Sequence, residues 1–164
     1  MKEINVRDIK ENPVSLINDG WGLLTAGDEN GWNTMTVSWG AIGELWNKDV
    51  AIAFVRPQRY TKEFIDGSDY FTLCFFDEEY RKALQLCGTK SGRDIDKAQA
   101  TGLTPLFQCG TTAFEQAKLV LVCRKIACQD MNPQGFIDKS IENNYSNGDY
   151  HTTYVGEIVK VLEK

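Results

Sequence analysis

Residues 33–39 (NTMTVSW) place hydroxyl side chains at alternate positions. In an extended strand three hydroxyls fall on one face, namely those of Thr34, Thr36 and Ser38. The other face carries Met35, Val37 and Trp39. Because a hydroxyl both donates and accepts hydrogen bonds, the polar face suits a flat heteroaromatic ligand with a polyol tail. An ordinary solvated face of a half-buried sheet is the alternative interpretation.

Two arginines stand between an apolar run and a predicted helix. Arg56 and Arg59 flank Pro57, and Thr61 lies at the expected helix start, where backbone N–H groups are free. Guanidinium groups and a helix N-terminus both complement a phosphate dianion. The segment therefore predicts a phosphate site. The alternative is a pair of surface arginines beside a threonine that only caps the helix.

Residues 87–94 (CGTKSGRD) form a third polar segment. Gly88 and Gly92 allow a ligand to approach the backbone closely, Lys90 adds a positive charge, and Ser91 begins a predicted capping box. Such residues are common in loops, so the segment is informative mainly in combination with the other two.

The sequence contains no motif for acid–base or nucleophilic catalysis. His151 is the single histidine, and no serine lies in a G-x-S-x-G motif. The glycines fit neither a G-x-G-x-x-G fingerprint nor a Walker loop. We therefore expect a bound cofactor to supply the chemistry, while the protein orients it.

The cysteines do not predict a metal site. There are five, with no CxxC pair, at positions 74, 87, 109, 123 and 128. With one histidine in the chain, a zinc site of the usual spacing is not expected, so we predict no metal. Reduced thiols that pack as small apolar core residues in a cytoplasmic protein are the preferred interpretation.

Composition excludes several classes of function. The chain has 164 residues and a net charge of −5, which disfavours nucleic-acid binding because that needs a basic surface. The N-terminal residues have scattered charges and no apolar core of a signal peptide, and no apolar run is long enough to span a membrane. No repeat or linker divides the chain, so a single domain over residues 1–164 is expected.

The predicted elements are mainly strands. β-Branched and aromatic runs predict six of them, at residues 21–26, 34–39, 50–55, 70–76, 114–129 and 154–162. Short helices are predicted after Asn12, Thr61, Asp77 and Ser91, with Gly67 and Gly88 ending the second and third. About six strands with a few short peripheral helices predict a β-barrel or sandwich and not an alternating βαβ sheet.

The chain resembles the flavoredoxin-like branch of the FMN-binding split-barrel flavin reductases. The resemblance lies in NTMTVSWG at 33–40, AFVRPQRYT at 53–61 and CGTKSGRDIDK at 87–97, with DYHTTYVGEIV at 149–159 as a weaker fourth match. It implies a mainly β fold, a Greek-key split β-barrel, and a homodimer that binds FMN non-covalently near the subunit interface.

The resemblance also implies roles for individual residues. The flavin ring and ribityl chain would lie along residues 33–38, that is Asn33, Thr34, Met35, Thr36, Val37 and Ser38. The phosphate would be bound by Arg56, Arg59 and Thr61, helped by Lys90 and Ser91, and Tyr60 between them would also belong to the cofactor-binding residues. Arg56 stands where family members often carry serine or glycine, so it is either a phosphate ligand or a local variation. His151 would lie near the open face of the flavin as the candidate catalytic residue, or else hold the last strand as a partly buried histidine.

Two functions are compatible with the resemblance. The first is an NAD(P)H-dependent flavin reductase that passes electrons through bound FMN to free flavin or to a protein acceptor. The second is a flavoredoxin-type electron carrier that a partner protein reduces, without turnover of a pyridine nucleotide.

Overall fold

The computed structural model describes residues 1–107 and 110–164, so the prediction for Cys109 lies outside the described residues. The strands are β1 (Lys2–Ile4), β2 (Gly22–Asp28), β3 (Gly31–Val37), β4 (Gly40–Leu45), β5 (Lys48–Val55), β6 (Tyr70–Phe75), β7 (Pro105–Leu106), β8 (Ala113–Phe114), β9 (Leu119–Asp130) and β10 (Thr152–Glu163). The α-helices are α1 (Pro13–Asn18), α2 (Thr61–Gly67), α3 (Arg81–Thr89) and α4 (Lys97–Thr101).

One large antiparallel sheet organises the chain. Its strands follow the order β3-β2-β6-β9-β10-β5-β4, with β1 pairing against β10, while β7 and β8 form a separate pair. The sheet brings the ends of β3 and β5 towards the start of β10, since Thr152 pairs with Val55 and Gly40 pairs with Ala53. The prediction of a mainly β fold with short peripheral helices is confirmed.

Apolar side chains cover both faces of the central strands. On β2, Leu24 belongs to the core that also contains Phe71, Leu121 and Tyr154. Its neighbour Leu23 points the other way, into a second cluster that includes side chains of α3 and β8. Because both faces are buried, this strand is an almost continuous apolar run without a polar face.

Gly156 allows the two longest strands to cross the core. The pairing of β10 with β9 shifts register between Val155 and Gly156. A methyl group at residue 156 would lie 2.6 Å from Cys123 Cβ and from Phe71 Cζ. Since real Cβ atoms do not approach other atoms so closely, only glycine fits this position without displacing its neighbours.

The predicted strands are found with shifted boundaries, and one of them is wrong in part. The predicted strand 114–129 is two strands, because residues 115–118 turn between β8 and β9, with Ala117 N donating to Phe114 O. The predicted strand 34–39 begins earlier, and Ser38 and Trp39 follow its end. The sequence does not predict β4, a glycine-containing edge strand that is largely exposed and has no apolar run to mark it.

The first predicted helix is confirmed together with its cap. Asn12 Oδ1 accepts a hydrogen bond from Val14 N at 2.9 Å, and Pro13 opens α1. The cap predicted for the second helix is wrong, because Thr61 is the first helical residue of α2 and Tyr60 precedes it without a side-chain cap.

The other two predicted helices differ in their ends. Asp77 makes no capping bond and precedes a short 3-10 turn, after which α3 runs through Gly88. The capping box at Ser91 is wrong as a helix start, since its hydroxyl closes a turn by accepting from Arg93 N at 3.2 Å. The next helix, α4, begins later and is capped by Asp96.

No helix in the described ranges 1–107 and 110–164 is long and apolar enough to cross a bilayer. Among those same residues, no group of three or more His, Cys, Asp or Glu side chains could hold a metal ion.

Candidate functional site

A groove runs along the end of the sheet where β3 and β5 finish. One part, of about 170 Å³, is lined by residues 35–39 together with Phe54, Arg56, Arg59 and His151. The adjoining part, of about 430 Å³, shares Met35, Arg56 and Arg59 with the first and extends to the loop after α3. The shared residues make the two parts one continuous groove, which we call the site groove.

Positive charge is concentrated at one end of the site groove. Arg59, Lys90 and Lys97 line this end with Thr61 and Ser91, and we call it the cationic end. None of the three cations forms an ion pair with a carboxylate in the described part of the chain. In a protein of net charge −5, such a concentration is suited to an anionic group.

Arg59 is held in place by the helix beside it. Its Nη1 donates to Gly88 O at 2.7 Å, in the last turn of α3, where unpaired carbonyls attract cations. Burial, and secondly the nearby charge of Arg56, lower the pKa of the Arg59 guanidinium. The remaining donors of Arg59 are free of partners in the described residues, so they are available to a ligand.

Thr61 and Asn33 form a buried pair at the floor of the cationic end. Asn33 Nδ2 donates to Thr61 Oγ1 at 2.9 Å, and Thr61 is 1% exposed. Gly92 lies against this pair, because a methyl group at residue 92 would overlap the Asn33 side-chain oxygen. Gly92 was expected to let a ligand approach the backbone, whereas in the structure it packs against Asn33.

Lys97 is a residue of the cationic end that the sequence analysis missed. Its Nζ donates to Thr34 O at 2.6 Å and to Cys87 O at 2.9 Å, and the side chain is buried. Lysines are mostly exposed, and no local pattern distinguishes one that a fold will bury. Only its position at the end of residues 87–97 could have drawn attention to it.

The opposite end of the site groove is apolar and aromatic. Met35, Val37, Trp39 and Phe54 line it beside His151, and we call it the aromatic end. The ring centroid of His151 lies 5.4 Å from that of Trp39 and 6.3 Å from that of Phe54. Trp39 and Phe54 were not predicted as site residues, because a single aromatic residue in a sequence carries no functional signal by itself.

His151 is a neutral, largely buried imidazole. It is 7% exposed, and its Nδ1 lies 2.9 Å from the Tyr145 hydroxyl. Burial, followed by the charge of Arg56, lowers the pKa of His151 to about 4. The backbone oxygen of His151 accepts from Met131 N at 2.9 Å, so the residue also ties the start of β10 to the end of β9.

Arg56 is largely engaged within the protein. Its Nη1 donates to Asp149 Oδ2 at 2.6 Å and its Nη2 to Asn144 O at 2.9 Å. The guanidinium carbon also lies 5.1 Å from the centroid of the Tyr145 ring. These contacts fasten the segment between β9 and β10 to the rim of the site groove. Arg56 therefore fits the interpretation as a local variation better than that as a phosphate ligand.

The hydroxyls of β3 do not form a ladder along the site groove. Thr34 is buried outside it, with its Oγ1 2.8 Å from Thr25 Oγ1. Thr36 lines the site groove but donates its hydroxyl to Leu84 O on α3. Thr34 and Thr36 therefore use their hydroxyls within the protein, and Ser38 is the one hydroxyl of the three without a described protein partner. Residues 35–38 all line the site groove.

Tyr60 lines the cationic end and packs against its neighbours. Its ring makes an edge contact with Phe64 at 5.0 Å between centroids, and Arg93 stacks over it at 4.4 Å. Arg93 also pairs with Glu63. These contacts join the loop after α3 to the start of α2 and so hold Lys90 and Ser91 near Arg59.

A second, uncharged cleft adjoins the aromatic end. Its volume is about 510 Å³, and it shares Ser38, Trp39 and Phe54 with the site groove. The other lining residues are Pro13, Val14, Ile17, Asn18, Gly40, Ala41, Ile42 and Met131. We call this the apolar slot, since no lysine, arginine, aspartate, glutamate or histidine lines it.

A model of the flavin reductase like domain family matches residues 14–164. The chain belongs to this family. The match covers all the residues of the site groove, and a search of curated protein sequences gives no significant match.

Solved structures with the same fold cover nearly the whole chain. A flavoredoxin from Methanosarcina acetivorans matches at 20% identity and TM-score 0.69, over 100% of this chain and 75% of its own. A flavin reductase with a split barrel domain from Shewanella frigidimarina matches at 18% identity and TM-score 0.69, over 98% and 75%. The NADH:FAD oxidoreductase of Streptomyces globisporus matches at 15% identity and TM-score 0.65, over 88% and 75%. These similarities confirm the split-barrel fold.

Proposed function

We propose that this protein binds FMN non-covalently in the site groove and is an NAD(P)H-dependent flavin reductase. The observation that carries the proposal is that one groove joins a cationic end to an aromatic end. FMN has the matching polarity, with a phosphate at one end and a flat heteroaromatic ring at the other. Membership of the flavin reductase like family supports an oxidoreductase that handles flavin.

The donor set of the cationic end fits a phosphate monoester. Arg59, Lys90 and Ser91 present donors that no carboxylate occupies, and guanidinium and ammonium groups form strong charge-assisted bonds to phosphate. Thr61, which is already hydrogen bonded to Asn33, supports the floor of this end. In this proposal Arg56 contributes by its charge and by holding the rim, since Asp149 already occupies its Nη1.

The aromatic end fits the ring of the same ligand. Met35 and Val37 offer apolar surface, and Ser38 offers a hydroxyl without a described protein partner to the edge of the ring. Trp39, Phe54 and His151 form a cluster of rings on the side facing the apolar slot, against which the ligand ring would pack. His151 is uncharged at neutral pH, so it can serve as a hydrogen-bonding neighbour without competing for a proton.

Bound FMN would supply the redox chemistry, accepting two electrons as hydride from NAD(P)H and passing them to free flavin or a protein acceptor. The chain's own contribution is alignment of the two rings and exclusion of water, and hydride transfer itself needs no protein acid or base. The apolar slot is a concave site beside the aromatic end where a nicotinamide ring could stack. This slot favours the reductase over the carrier.

The flavoredoxin-type carrier is the second candidate. Two apolar side chains beside the slot are exposed, with Val14 at 72% and Trp39 at 47%. Such a patch suits the docking of a redox protein as well as it suits a small molecule. A carrier would be reduced by its partner and would not oxidise NADH or NADPH.

Three further parts of the proposal rest on the sequence. A single domain over residues 1–164 follows from the absence of a linker, and a homodimer follows from the family resemblance. A cytoplasmic location follows from reduced thiols, and the four cysteines that the structure describes form no disulfide with one another.

The test is the visible spectrum of the FMN-loaded protein under anaerobic conditions, before and after addition of NADH or NADPH. Bleaching of bound flavin well above the rate of free FMN supports the reductase. Bound flavin that stays oxidised with both nucleotides, but is reduced by a protein donor in a salt-sensitive reaction, supports the carrier.

Binding itself is tested with Arg59→Ala and Thr61→Ala. We expect the Kd for FMN to rise by about tenfold or more for Arg59→Ala, since a charge-assisted bond contributes about 1.5–3 kcal/mol. The matched control is Arg7→Ala, because Arg7 is exposed and pairs with Asp49 away from the site groove. Equal FMN affinity in Arg59→Ala and Arg7→Ala would refute the assignment of the cationic end.

A further inference from the structure

The hydroxyl of Tyr145 has two acceptors within reach of its one proton. It lies 2.9 Å from His151 Nδ1 and 3.4 Å from Met131 Sδ. Tyr145 is 5% exposed, so water hardly competes for this hydroxyl. At neutral pH the imidazole of His151 carries a single proton, because burial lowers its pKa to about 4. The direction in which Tyr145 donates therefore decides which nitrogen of His151 carries that proton.

The two directions have opposite consequences for the site groove. If Tyr145 donates to Met131 Sδ, its oxygen accepts from Nδ1–H of His151, and Nε2 is left as a hydrogen-bond acceptor. If Tyr145 donates to Nδ1, the proton of His151 lies on Nε2, which becomes a donor. A thioether sulfur is only a weak acceptor, whereas an unprotonated imidazole nitrogen is a good one. The second arrangement is therefore favoured.

Nε2 is the nitrogen of His151 that a ligand can reach. In residues 1–107 and 110–164 it has no hydrogen-bond partner, since the one polar contact of the ring is made by Nδ1. Nor is it enclosed, because Thr111 Oγ1 is the only enclosed side-chain nitrogen or oxygen in those ranges that lacks a partner. His151 lines the aromatic end of the site groove. Nε2 is therefore accessible from the space that a ligand ring would occupy.

The ring of Tyr145 is held on several sides. It stacks on Phe136 with 6.0 Å between centroids, and the ring of Tyr150 lies 4.9 Å away. The guanidinium carbon of Arg56 lies 5.1 Å from its centroid. Because these contacts restrict rotation of the phenol ring, its hydroxyl has a fixed position relative to the imidazole of His151.

We propose that Tyr145 is a positioning residue, which holds His151 as the Nε2–H tautomer so that the aromatic end presents one fixed hydrogen-bond donor to a ligand ring. The group that such a donor recognises is an acceptor at the edge of an uncharged ring, either a carbonyl oxygen or an unprotonated ring nitrogen. The isoalloxazine ring of flavin carries both. The assignment of the ligand ring to flavin rests on the proposed function.

The competing explanation is that Tyr145 only ties the segment before β10 to the sheet. The hydroxyl would then contribute to stability, but its loss would not change the affinity for a ligand through His151. The protonation of the two imidazole nitrogens and the effect of the hydroxyl on ligand affinity separate the two explanations.

The first measurement is the nitrogen-15 NMR spectrum of the imidazole in the ligand-free protein at neutral pH. The chain has one histidine, and a protonated ring nitrogen resonates far from an unprotonated one. We expect the proton on Nε2, and we expect the Nδ1 resonance to move in Tyr145→Phe, which removes the hydroxyl but keeps the ring. A proton on Nδ1 in the wild type, or an unmoved Nδ1 resonance in folded Tyr145→Phe, overturns the proposal.

The second measurement is the Kd for FMN, followed by flavin fluorescence, in Tyr145→Phe and in Tyr150→Phe. Tyr150 is the matched control, because it belongs to the same cluster of rings and its hydroxyl bonds Glu142 Oε2 at 2.8 Å. We expect the Kd to rise by about two- to tenfold in Tyr145→Phe, the effect of misplacing one neutral hydrogen bond, and to stay unchanged in Tyr150→Phe. Equal Kd values for the two variants overturn the proposal.

A double-mutant cycle tests whether Tyr145 acts through His151. In a His151→Phe background the donor that Tyr145 orients is absent, so the further change Tyr145→Phe should not weaken FMN binding again. Fully additive effects of the two substitutions on the Kd would mean that Tyr145 acts independently of His151, which overturns the proposal.

The outcomes also separate this proposal from the proposed function. Wild-type protein that carries the proton on Nε2 but binds no FMN keeps the tautomer assignment and refutes the flavin function. Wild-type protein that binds FMN but carries the proton on Nδ1 keeps the flavin function and refutes the role of Tyr145. If Tyr145→Phe does not fold, the position of the proton in the wild type decides.

Discussion

The stability of this protein should fall steeply below neutral pH because of its single histidine. Burial lowers the pKa of His151 from 6.5 to about 4 in the folded chain, so the unfolded chain binds a proton that the folded chain does not. Well above pH 6.5 neither state is protonated and His151 adds no pH dependence. As the pH decreases from 6.5 towards 4, the free energy of unfolding falls by about 1.4 kcal/mol for each pH unit. Below the pKa of the folded state both states are protonated, and the loss levels off.

The size of the effect follows from the two pKa values of His151. Integration from pH 7 to pH 5 gives a loss of about 2 kcal/mol from this residue alone. That is a large part of the stability of a typical domain, which is about 5–15 kcal/mol. Most carboxylates are ionised throughout this range, so they interfere little.

The assay is urea unfolding of the wild type and of His151→Gln at pH 7 and pH 5. Glutamine can still bond the Tyr145 hydroxyl but does not titrate, so the difference between the two proteins isolates the imidazole. Because the chain has one histidine, its imidazole C–H resonances in an NMR titration need no assignment. A midpoint near 6.5 in the folded protein, or an equal loss of stability in His151→Gln, would refute the reasoning.

Two further predictions follow from contacts around the sheet. Arg56→Gln removes the ion pair with Asp149, so we expect faster proteolysis of residues 131–150. It also removes a positive charge that lowers the pKa of His151, so the NMR midpoint of His151 should move to higher pH. If both the proteolysis rate and the midpoint were unchanged, Arg56 would not fasten that segment. Gly156→Ala forces a methyl group into packed side chains and should cost about 1–3 kcal/mol in urea unfolding. Gly43→Ala, which meets nothing within 4 Å, is the control, and equal stability of the two variants would count against the packing argument.

Sequence patterns predicted the elements correctly where those elements depend on residues that are close together in the chain. The cap of α1 is predicted correctly because Asn12 bonds to backbone groups two and three residues away. The main strands are found because β-branched and aromatic runs mark them without knowledge of their partners. The break at residues 115–118 is missed because it depends on Lys118 N reaching Phe75 O on another strand.

The functional residues also divide into those that the sequence predicts and those whose role depends on contacts with distant residues. The sequence marks Arg59, Lys90 and Ser91, and the structure brings them together at the cationic end. It does not reveal that Thr34 turns its hydroxyl towards Thr25, because strand alternation predicts faces but not which face meets the ligand. Nor does it reveal that Arg56 is engaged by Asp149, since the two are 93 residues apart.

By itself, the sequence determined the fold class and the segments that carry charge and hydroxyls, and it led to the expectation of a bound cofactor. These follow from residue type and short-range spacing. The tertiary structure decided which polar groups remain free for a ligand and which form hydrogen bonds within the protein. It buried Lys97 without a counter-ion and neutralised His151, because burial and electrostatic environment depend on residues that are distant along the chain.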